Sequence, residues 1–187
     1  CKIKCETDFV AKNDDFINFA HSLTKSIFEN NEIEKSGTSE NLSKILIGDK
    51  DLNSTLTDLI SKIGENIQIV SYKKYNSDNS IFVSYLHNKY NSSCSKIASI
   101  VEISTNDILK TVGLIDQLKV IAMQVSAMKP MSLDEKSLDK KILDDERDII
   151  LKQIENTPED KKEIIVKVKL NKFIKENTLL GQALITD

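Results

Sequence analysis

The sequence predicts an α+β fold, in which helices flank antiparallel sheet and a charged helical hairpin projects from it. Alternation of apolar and polar residues at 1–5, 67–75, 81–86 and 97–103 indicates strands. Apolar residues at helical spacing occupy segments between these strands. A strongly charged region at 132–176 contains a second helix start near its middle, which indicates two helices folded back on each other.

The chain opens with a half-buried strand at 1–5 and a helix that starts at Asn13. The apolar stripe of this helix comprises Phe16, Phe19, Ala20, Leu23 and Ile27. Residues 30–39 are polar and indicate a loop, after which a short helix is predicted at 40–47, ended by Gly48. The next helix runs from Leu52 to Ile63, and Gly64 follows it as a left-handed C-cap.

Three strands then follow in series with polar turns between them, at 67–75, 81–86 and 97–103. Short connections of this kind are typical of an antiparallel meander. A long helix from Ile108 to Val125 comes next, and we expect it to end before Pro130.

The charged region at 132–176 carries two helix-start signals. Ser132 with Glu135 matches a capping box, and Thr157 followed by Pro158 matches an N-cap with proline at the first helical position. Folding the chain back near Asn156 places an acidic run level with a basic one and brings two apolar sets together. The acidic run is Asp144, Asp145, Glu146 and Asp148, and the basic one Lys167, Lys169 and Lys172; the apolar sets are Ile142, Ile149 and Ile150 against Ile165, Val168 and Phe173.

Two points about this region and the chain's organisation stay open. Val166, Val168 and Leu170 alternate with lysines, which also fits a strand, while residues 179–185 have loop and strand composition.

The composition excludes several classes of protein. The 187 residues are 40% hydrophobic and 29% charged with 5 Gly and 2 Pro, which argues against fibrous or loop-dominated chains. A net charge of -3 argues against a dedicated nucleic-acid binder, and no apolar run is long enough to span a membrane. The chain begins at Cys1 rather than Met, so we expect a fragment of a longer protein.

The residues that usually carry enzyme chemistry lack the spacing that it needs. There is no GxxxxGK[ST] phosphate loop, no GxGxxG and no GxSxG motif. Cys1, Cys5 and Cys94 form no CxxC pair, so we expect small buried thiols in a reducing cytosol and neither a metal site nor a cofactor. His21 and His87 are isolated, so an enzyme is not expected; a hydrolase that uses one of them with a cysteine is a remaining alternative.

One segment stands out between the first strand and the first helix. Cys5-Glu6-Thr7-Asp8-Phe9-Val10 places a large apolar ring beside an acid on a connection. Such a ring often folds back onto the core. The alternative is an exposed anchor of the kind that dominates protein interfaces.

The same segment resembles the signature of bacterial and organellar elongation factor Ts, over Cys5-Glu6-Thr7-Asp8-Phe9-Val10-Ala11-Lys12-Asn13. Further stretches are similar in order and spacing, and the likeness covers nearly the whole chain. They are Lys62-Ile63-Gly64-Glu65-Asn66-Ile67, Ser84-Tyr85-Leu86-His87, Ala122-Met123-Gln124-Val125-Ser126-Ala127 with Pro130, and Leu180-Gly181-Gln182.

The resemblance implies two small subdomains of antiparallel sheet flanked by helices, with a projecting helical coiled-coil hairpin. The implied limits are 1–90 and 91–131 for the two core subdomains, 132–176 for the hairpin, and 177–187 for a return to the second, incomplete subdomain.

The resemblance also implies a nucleotide exchange factor that binds elongation factor Tu in its GDP-bound and nucleotide-free forms, without direct contact to nucleic acid or membrane. A cytoplasmic location in bacteria is implied, or an organellar matrix. The segment of Thr7, Asp8, Phe9 and Val10 would dislodge the partner's magnesium ion, with Phe9 as a wedge. Ile63 and Gly64 would touch the partner's nucleotide-binding domain, and His87 another of its domains.

The chain also departs from the family pattern. Asn88 stands where a glycine often follows the histidine, and Ala183-Leu184 stand where Pro-Phe is common. The family's N-terminal helical module and its final strand and helix are expected to be missing. A different class of function also stays open: an interaction or holding module without exchange activity, which would use the helical hairpin as its binding arm.

Overall fold

The computed structural model describes residues 1–186 and confirms the α+β class. The backbone forms two compact units, one of Cys1–Ser80 with Leu86–Ile97, the other of Ile81–Tyr85 with the chain from Ala98 onward. The subdomain limits at residues 90, 131 and 176 remain predictions.

The first unit is built from five short strands and two helices, together with parts of the long strands described below. In chain order they are β1 (Lys2–Lys4), α1 (Asp14–Glu29), β2 (Ser36–Gly37), β3 (Leu46–Ile47), β4 (Lys50–Asp51), α2 (Leu52–Ile63) and β5 (Gln68–Lys73). One-turn 3-10 helices cover Val10–Lys12 and Ser39–Leu42. The predicted helix at 40–47 is therefore wrong beyond its first turn, because the chain turns at Gly48 (φ +63) to pair β3 with β4.

The central strand of this unit is β5, which has antiparallel partners on both sides. β1 pairs with it through Ile3 opposite Ile69 and Lys4 opposite Gln68, and β2 pairs with its other edge. Since both edges of β5 are occupied, the predicted meander is wrong. The next two strands, β6 (Ser80–Lys89) and β7 (Ser95–Ser104), form a separate two-stranded sheet.

The core of the first unit lies between the sheet of β1, β5 and β2 and the helices α1 and α2. The predicted stripe of α1 is confirmed: Leu23 is fully buried, and Phe16, Phe19 and Ile27 pack with it. The side chain of Asn13 caps α1 by accepting from the N–H groups of Asp15 and Phe16. α2 and β5 complete the cluster with Leu52, Leu59, Ile67, Ile69 and Tyr72.

As far as residue 186, the second unit contains four α-helices, α3 (Ile108–Val112), α4 (Ile115–Met128), α5 (Lys140–Gln153) and α6 (Glu159–Asn177). The long helix predicted from Ile108 is thus broken at Gly113–Leu114, although it does end before Pro130. The capping box predicted at Ser132 is wrong: Asp134 and Ser137 form it instead, around a 3-10 turn. No strand is formed by residues 179–186; this tail is held to α4 by the buried Gln124.

α5 and α6 pack together, and residues 166–170 are helical, so the alternative of a strand there is wrong. The coiled-coil character of this hairpin remains a prediction. Its register differs from the predicted one: Gln153 accepts a hydrogen bond from Lys169 at 2.9 Å, whereas folding at Asn156 would place Gln153 level with Glu159. Within residues 1–186, no ion pair joins the acidic run to the basic one; Lys172 pairs along its own helix with Glu176.

The apolar contacts of the hairpin follow the shifted register. Ile150, Ile154 and Val166 form its core, with Ile165 and Leu170 packed against them. Ile149 and Val168, predicted to be inside, are 48% and 63% exposed. The predicted helix start is displaced by one residue, so that Pro158 is the N-cap of α6. In the part of the chain that the structure describes, no helix combines the length and apolar character that a membrane crossing needs.

Candidate functional site

The ring of Phe9 projects from the connection between β1 and α1. Its side chain is 88% exposed, whereas the next two residues, Val10 and Ala11, are only 7% and 8% exposed. The interpretation in which the ring folds onto the core is therefore wrong. A large aromatic side chain held in solvent next to an anchored turn has the geometry of a protein-interaction anchor.

Thr7 fixes the start of this connection, and we call the segment Thr7–Val10 the tip. The Thr7 N–H and hydroxyl donate to the two carboxylate oxygens of Glu65, at 3.0 and 2.6 Å. The hydroxyl oxygen of Thr7 also accepts from the N–H of Val10, and its carbonyl accepts from the N–H of Ala11. The tip therefore enters its 3-10 turn with a hydrogen-bonded backbone.

Asp8 forms an ion pair with Lys96 of β7. The Lys96 Nζ lies 3.0 and 3.3 Å from the two carboxylate oxygens. This hydrogen bond and the lysine's charge lower the pKa of Asp8, and the same contact raises the pKa of Lys96. Both side chains remain more than half exposed, and exposed pairs exchange partners readily. Asp8 is thus ionised at neutral pH and available to a binding partner.

Ile63 and Gly64 form the end of α2, next to the tip. Gly64 has a φ of +79, the left-handed conformation that a helix C-cap requires, so this part of the prediction is confirmed. A side chain built there would meet nothing within 4 Å, so a partner could approach the backbone closely. Since Glu65 follows directly, its hydrogen bonds to Thr7 bring the end of α2 and the tip together.

His87 lies further away in sequence, on β6, and its side chain is exposed. Asn88, which follows it, has a φ of +52. Asparagine tolerates the left-handed region better than other residues with a side chain. The substitution for glycine noted in the sequence therefore keeps a backbone conformation that glycine favours. β6 neighbours β7, the strand that carries Lys96.

The cysteines are less buried than expected. Cys1 is exposed, and Cys5 and Cys94 are half-buried, all three as free thiols. Partial burial, with the charges of Glu65 and Asp8, raises the pKa of Cys5, which disfavours the reactive thiolate at neutral pH. Within residues 1–186, no group of three or more His, Cys, Asp or Glu side chains is placed to hold a metal ion.

Two residues of this site were not among the predicted ones. Glu65 lies in the stretch Lys62–Ile67 that resembles the family. Its contact with Thr7 follows from the β1–β5 register extended past the end of β1, a pairing that the sequence did not predict. Lys96 carried no signal, because its contact with Asp8 joins positions 88 residues apart in the chain.

The tip, the ion pair and the α2 end lie together and present an exposed aromatic ring, an ionised carboxylate and an open glycine. Exposed groups of this kind are typical of surfaces that bind other proteins. In the comparison with known proteins, the family model described as Elongation factor TS matches residues 6–187. Curated relatives named Elongation factor Ts match all of this chain, at 34% identity from Alkalilimnicola ehrlichii and 35% from Clostridium kluyveri, and one from Clostridium novyi is 35% identical over 97% of it.

This chain belongs to the elongation factor Ts family. It spans 59% of the length of the relatives from Alkalilimnicola ehrlichii and Clostridium kluyveri, and 57% of the one from Clostridium novyi.

Proposed function

We propose that the protein is a guanine nucleotide exchange factor for elongation factor Tu in translation elongation. It would promote GDP release by displacing the partner's magnesium ion through protein–protein contact. The observation that carries the proposal is the tip itself, an 88% exposed Phe9 beside an ionised Asp8 on a hydrogen-bonded bend. Membership of the family supports the partner and the reaction.

The mechanism needs binding energy rather than a catalytic group. In a GTPase, magnesium bridges the nucleotide phosphates to the protein and neutralises their charge. A docked protein that shifts the magnesium ligands leaves phosphate charge uncompensated, and GDP then leaves faster. Such a factor accelerates release only if it binds the nucleotide-free state more tightly than the GDP-bound one.

The tip residues divide this task between them. Phe9 would wedge between elements of the partner near its nucleotide site, since its ring has almost no packing of its own to lose. Asp8 would exchange Lys96 for groups of the partner, because an exposed ion pair costs little to open. Ile63 and Gly64 would extend the contact along the same surface, and His87 would contact another domain.

The test loads elongation factor Tu with fluorescent GDP and follows its release when micromolar amounts of this chain are added. We expect faster release with the native chain, and a loss of most of this effect when Asp8→Ala and Phe9→Ala are combined. Release that is no faster with the native chain than without it contradicts the proposal.

A matched control separates the tip from general surface changes. Phe28 is another exposed phenylalanine, at 67%, and Asp116 is another exposed aspartate that pairs with a lysine. The combination of Phe28→Ala with Asp116→Ala removes the same groups elsewhere. It should leave the exchange rate unchanged, and an equal loss in both double variants would show that the tip has no special role.

A second candidate function is a holding module that binds through the hairpin. The exposed Ile164 and Val168, one turn apart on α6, favour it because they form an apolar strip without cover from α5. Changing both to serine would abolish partner binding under this alternative. Exchange through the tip should largely survive the same change.

A further inference from the structure

Glu65 is placed opposite Thr7 by the pairing of the two strands that precede and follow them. β1 and β5 are antiparallel, with Lys4 opposite Gln68. Continuing that register past the end of β1 brings Thr7 opposite Glu65. There the carboxylate takes the place of a ladder partner, accepting from both the N–H and the hydroxyl of Thr7. Hydrogen bonds to an ionised acceptor are stronger than neutral ones.

Thr7 in turn accepts hydrogen bonds from the residues that follow it in the tip and in the 3-10 turn. Its oxygens accept from the N–H groups of Val10 and Ala11, at 3.3 and 3.2 Å. The turn that follows is closed by the N–H of Lys12 donating to the carbonyl of Phe9. The direction of the Phe9 ring is therefore set by backbone bonds that begin at Thr7, since the ring itself is exposed.

We propose that Glu65 is the positioning residue of the tip: its carboxylate holds Thr7 against the end of α2 and so fixes the bend from which Phe9 projects. The role in exchange rests on the proposed function, whereas the hold on Thr7 concerns the free chain. Because Glu65 follows Gly64, the same bonds make the tip and the α2 end one surface.

The length and the negative charge of the Glu65 side chain can be tested separately, because each predicts a different order of the variants. If Glu65 acts by holding Thr7, the side chain must be long enough, and Glu65→Gln keeps the reach and one acceptor oxygen. Glu65→Asp keeps the charge and loses the length. If Glu65 acts by positioning, Glu65→Gln should retain more exchange activity than Glu65→Asp. If only its negative charge matters, the order should be the opposite.

The first measurement uses amide hydrogen exchange of Thr7 and Val10 by NMR in the free full chain. We expect exchange at least about tenfold faster in Glu65→Ala, because two charge-assisted acceptor contacts are lost. Amides of the α1 core should keep their protection. Unchanged exchange at Thr7 in Glu65→Ala would overturn the proposal.

The second measurement is GDP release from elongation factor Tu over a range of concentrations of each variant. We expect the maximal rate to fall about tenfold in Glu65→Ala, with the half-saturating concentration within about twofold, because the tip acts after docking. Glu40→Gln, an exposed glutamate elsewhere, is the control. The positioning role would be overturned if Glu65→Ala kept the maximal rate of the native chain, or if Glu65→Asp were faster than Glu65→Gln.

The two measurements fail separately. If the native chain does not accelerate release, the proposed function fails, and the amide data alone then support or overturn the hold of Glu65 on the tip. If the native chain is active and the Thr7 amide is unaffected in Glu65→Ala, the proposed function stands and the positioning role is overturned.

Discussion

Replacing Phe9 with alanine should separate function from stability. Full burial of a phenylalanine side chain is worth about 1.5 to 3 kcal/mol. With 88% of its surface exposed, Phe9 has about an eighth of that to lose, on the order of 0.2 to 0.4 kcal/mol in the free energy of unfolding. For a chain of this size, the corresponding fall in Tm is at most about 1 to 2 °C.

The effect on nucleotide exchange should be much larger. An aromatic anchor that is buried in a partner typically contributes about 2 to 4 kcal/mol, so the rate of GDP release promoted by Phe9→Ala should fall by roughly 30-fold or more. Stability is measured by denaturant unfolding, and exchange by the fluorescent GDP assay.

Two other phenylalanines bracket the stability result. Phe16→Ala, at a core position that is 7% exposed, should lose about 3 to 5 kcal/mol of unfolding free energy, and Phe28→Ala should lose little. If Phe9→Ala loses as much stability as Phe16→Ala, the ring packs against the protein in solution and the reasoning fails. Native exchange activity in Phe9→Ala would refute the wedge.

Three further outcomes are expected. Gly64→Ala should lose about 1 kcal/mol of unfolding free energy from its left-handed φ alone, and Gly64→Asn less, both by denaturant unfolding. In Lys96→Met, the pKa of Asp8 measured by NMR titration should rise towards its ordinary value. In the native chain, the lowered pKa of Asp8 keeps the pair intact below the ordinary carboxyl range until the pH falls through that lowered pKa, and the raised pKa of Lys96 keeps it intact until the pH rises through that raised pKa. Gln124→Leu should lose about 2 kcal/mol, because the N–H of Ile185 and the carbonyl of Ala183 lose their buried partner, while Gln117→Leu on the exposed face of α4 should lose little.

The elements that the sequence predicted well are those fixed by local chemistry. α1 follows from a helical apolar stripe and an asparagine N-cap, and α2 from its stripe and a glycine at C′. In both cases the signals lie within one or two turns of the residues that they govern. Gly48 shows the limit of such signals, because a left-handed glycine ends a helix or turns a hairpin equally well.

The errors concern pairings between distant residues. Periodicity marks 67–75 as a strand, but it does not say that β1 and β2 occupy its edges, because that choice depends on contacts across more than 30 residues of chain. The hairpin register failed for a related reason. Many charged residues on both arms allow several registers, whereas the buried Ile150 and Val166 select one.

The tip lies between these two cases. Its residues were visible as a motif, and whether Phe9 was exposed could not be decided from burial tendencies. The structure decides it through Val10 and Ala11, which occupy the interior immediately after Phe9 and leave the ring on the outside.

For the proposed exchange, the order of the tip before binding matters as much as its exposed ring. Fixing the backbone of one flexible residue costs about 1 to 2 kcal/mol, so ordering Thr7–Val10 only on contact would offset roughly 4 to 8 kcal/mol of binding energy. That is at least as large as the about 2 to 4 kcal/mol that one aromatic anchor typically contributes. A wedge on a flexible loop would therefore add little net binding energy. The hydrogen bonds from Thr7 to Glu65 and within the turn order the tip when the chain folds, before any partner binds. The position of Phe9 is thus a property of the folded unit, and the ring's binding energy remains available for the step in which it enters the partner.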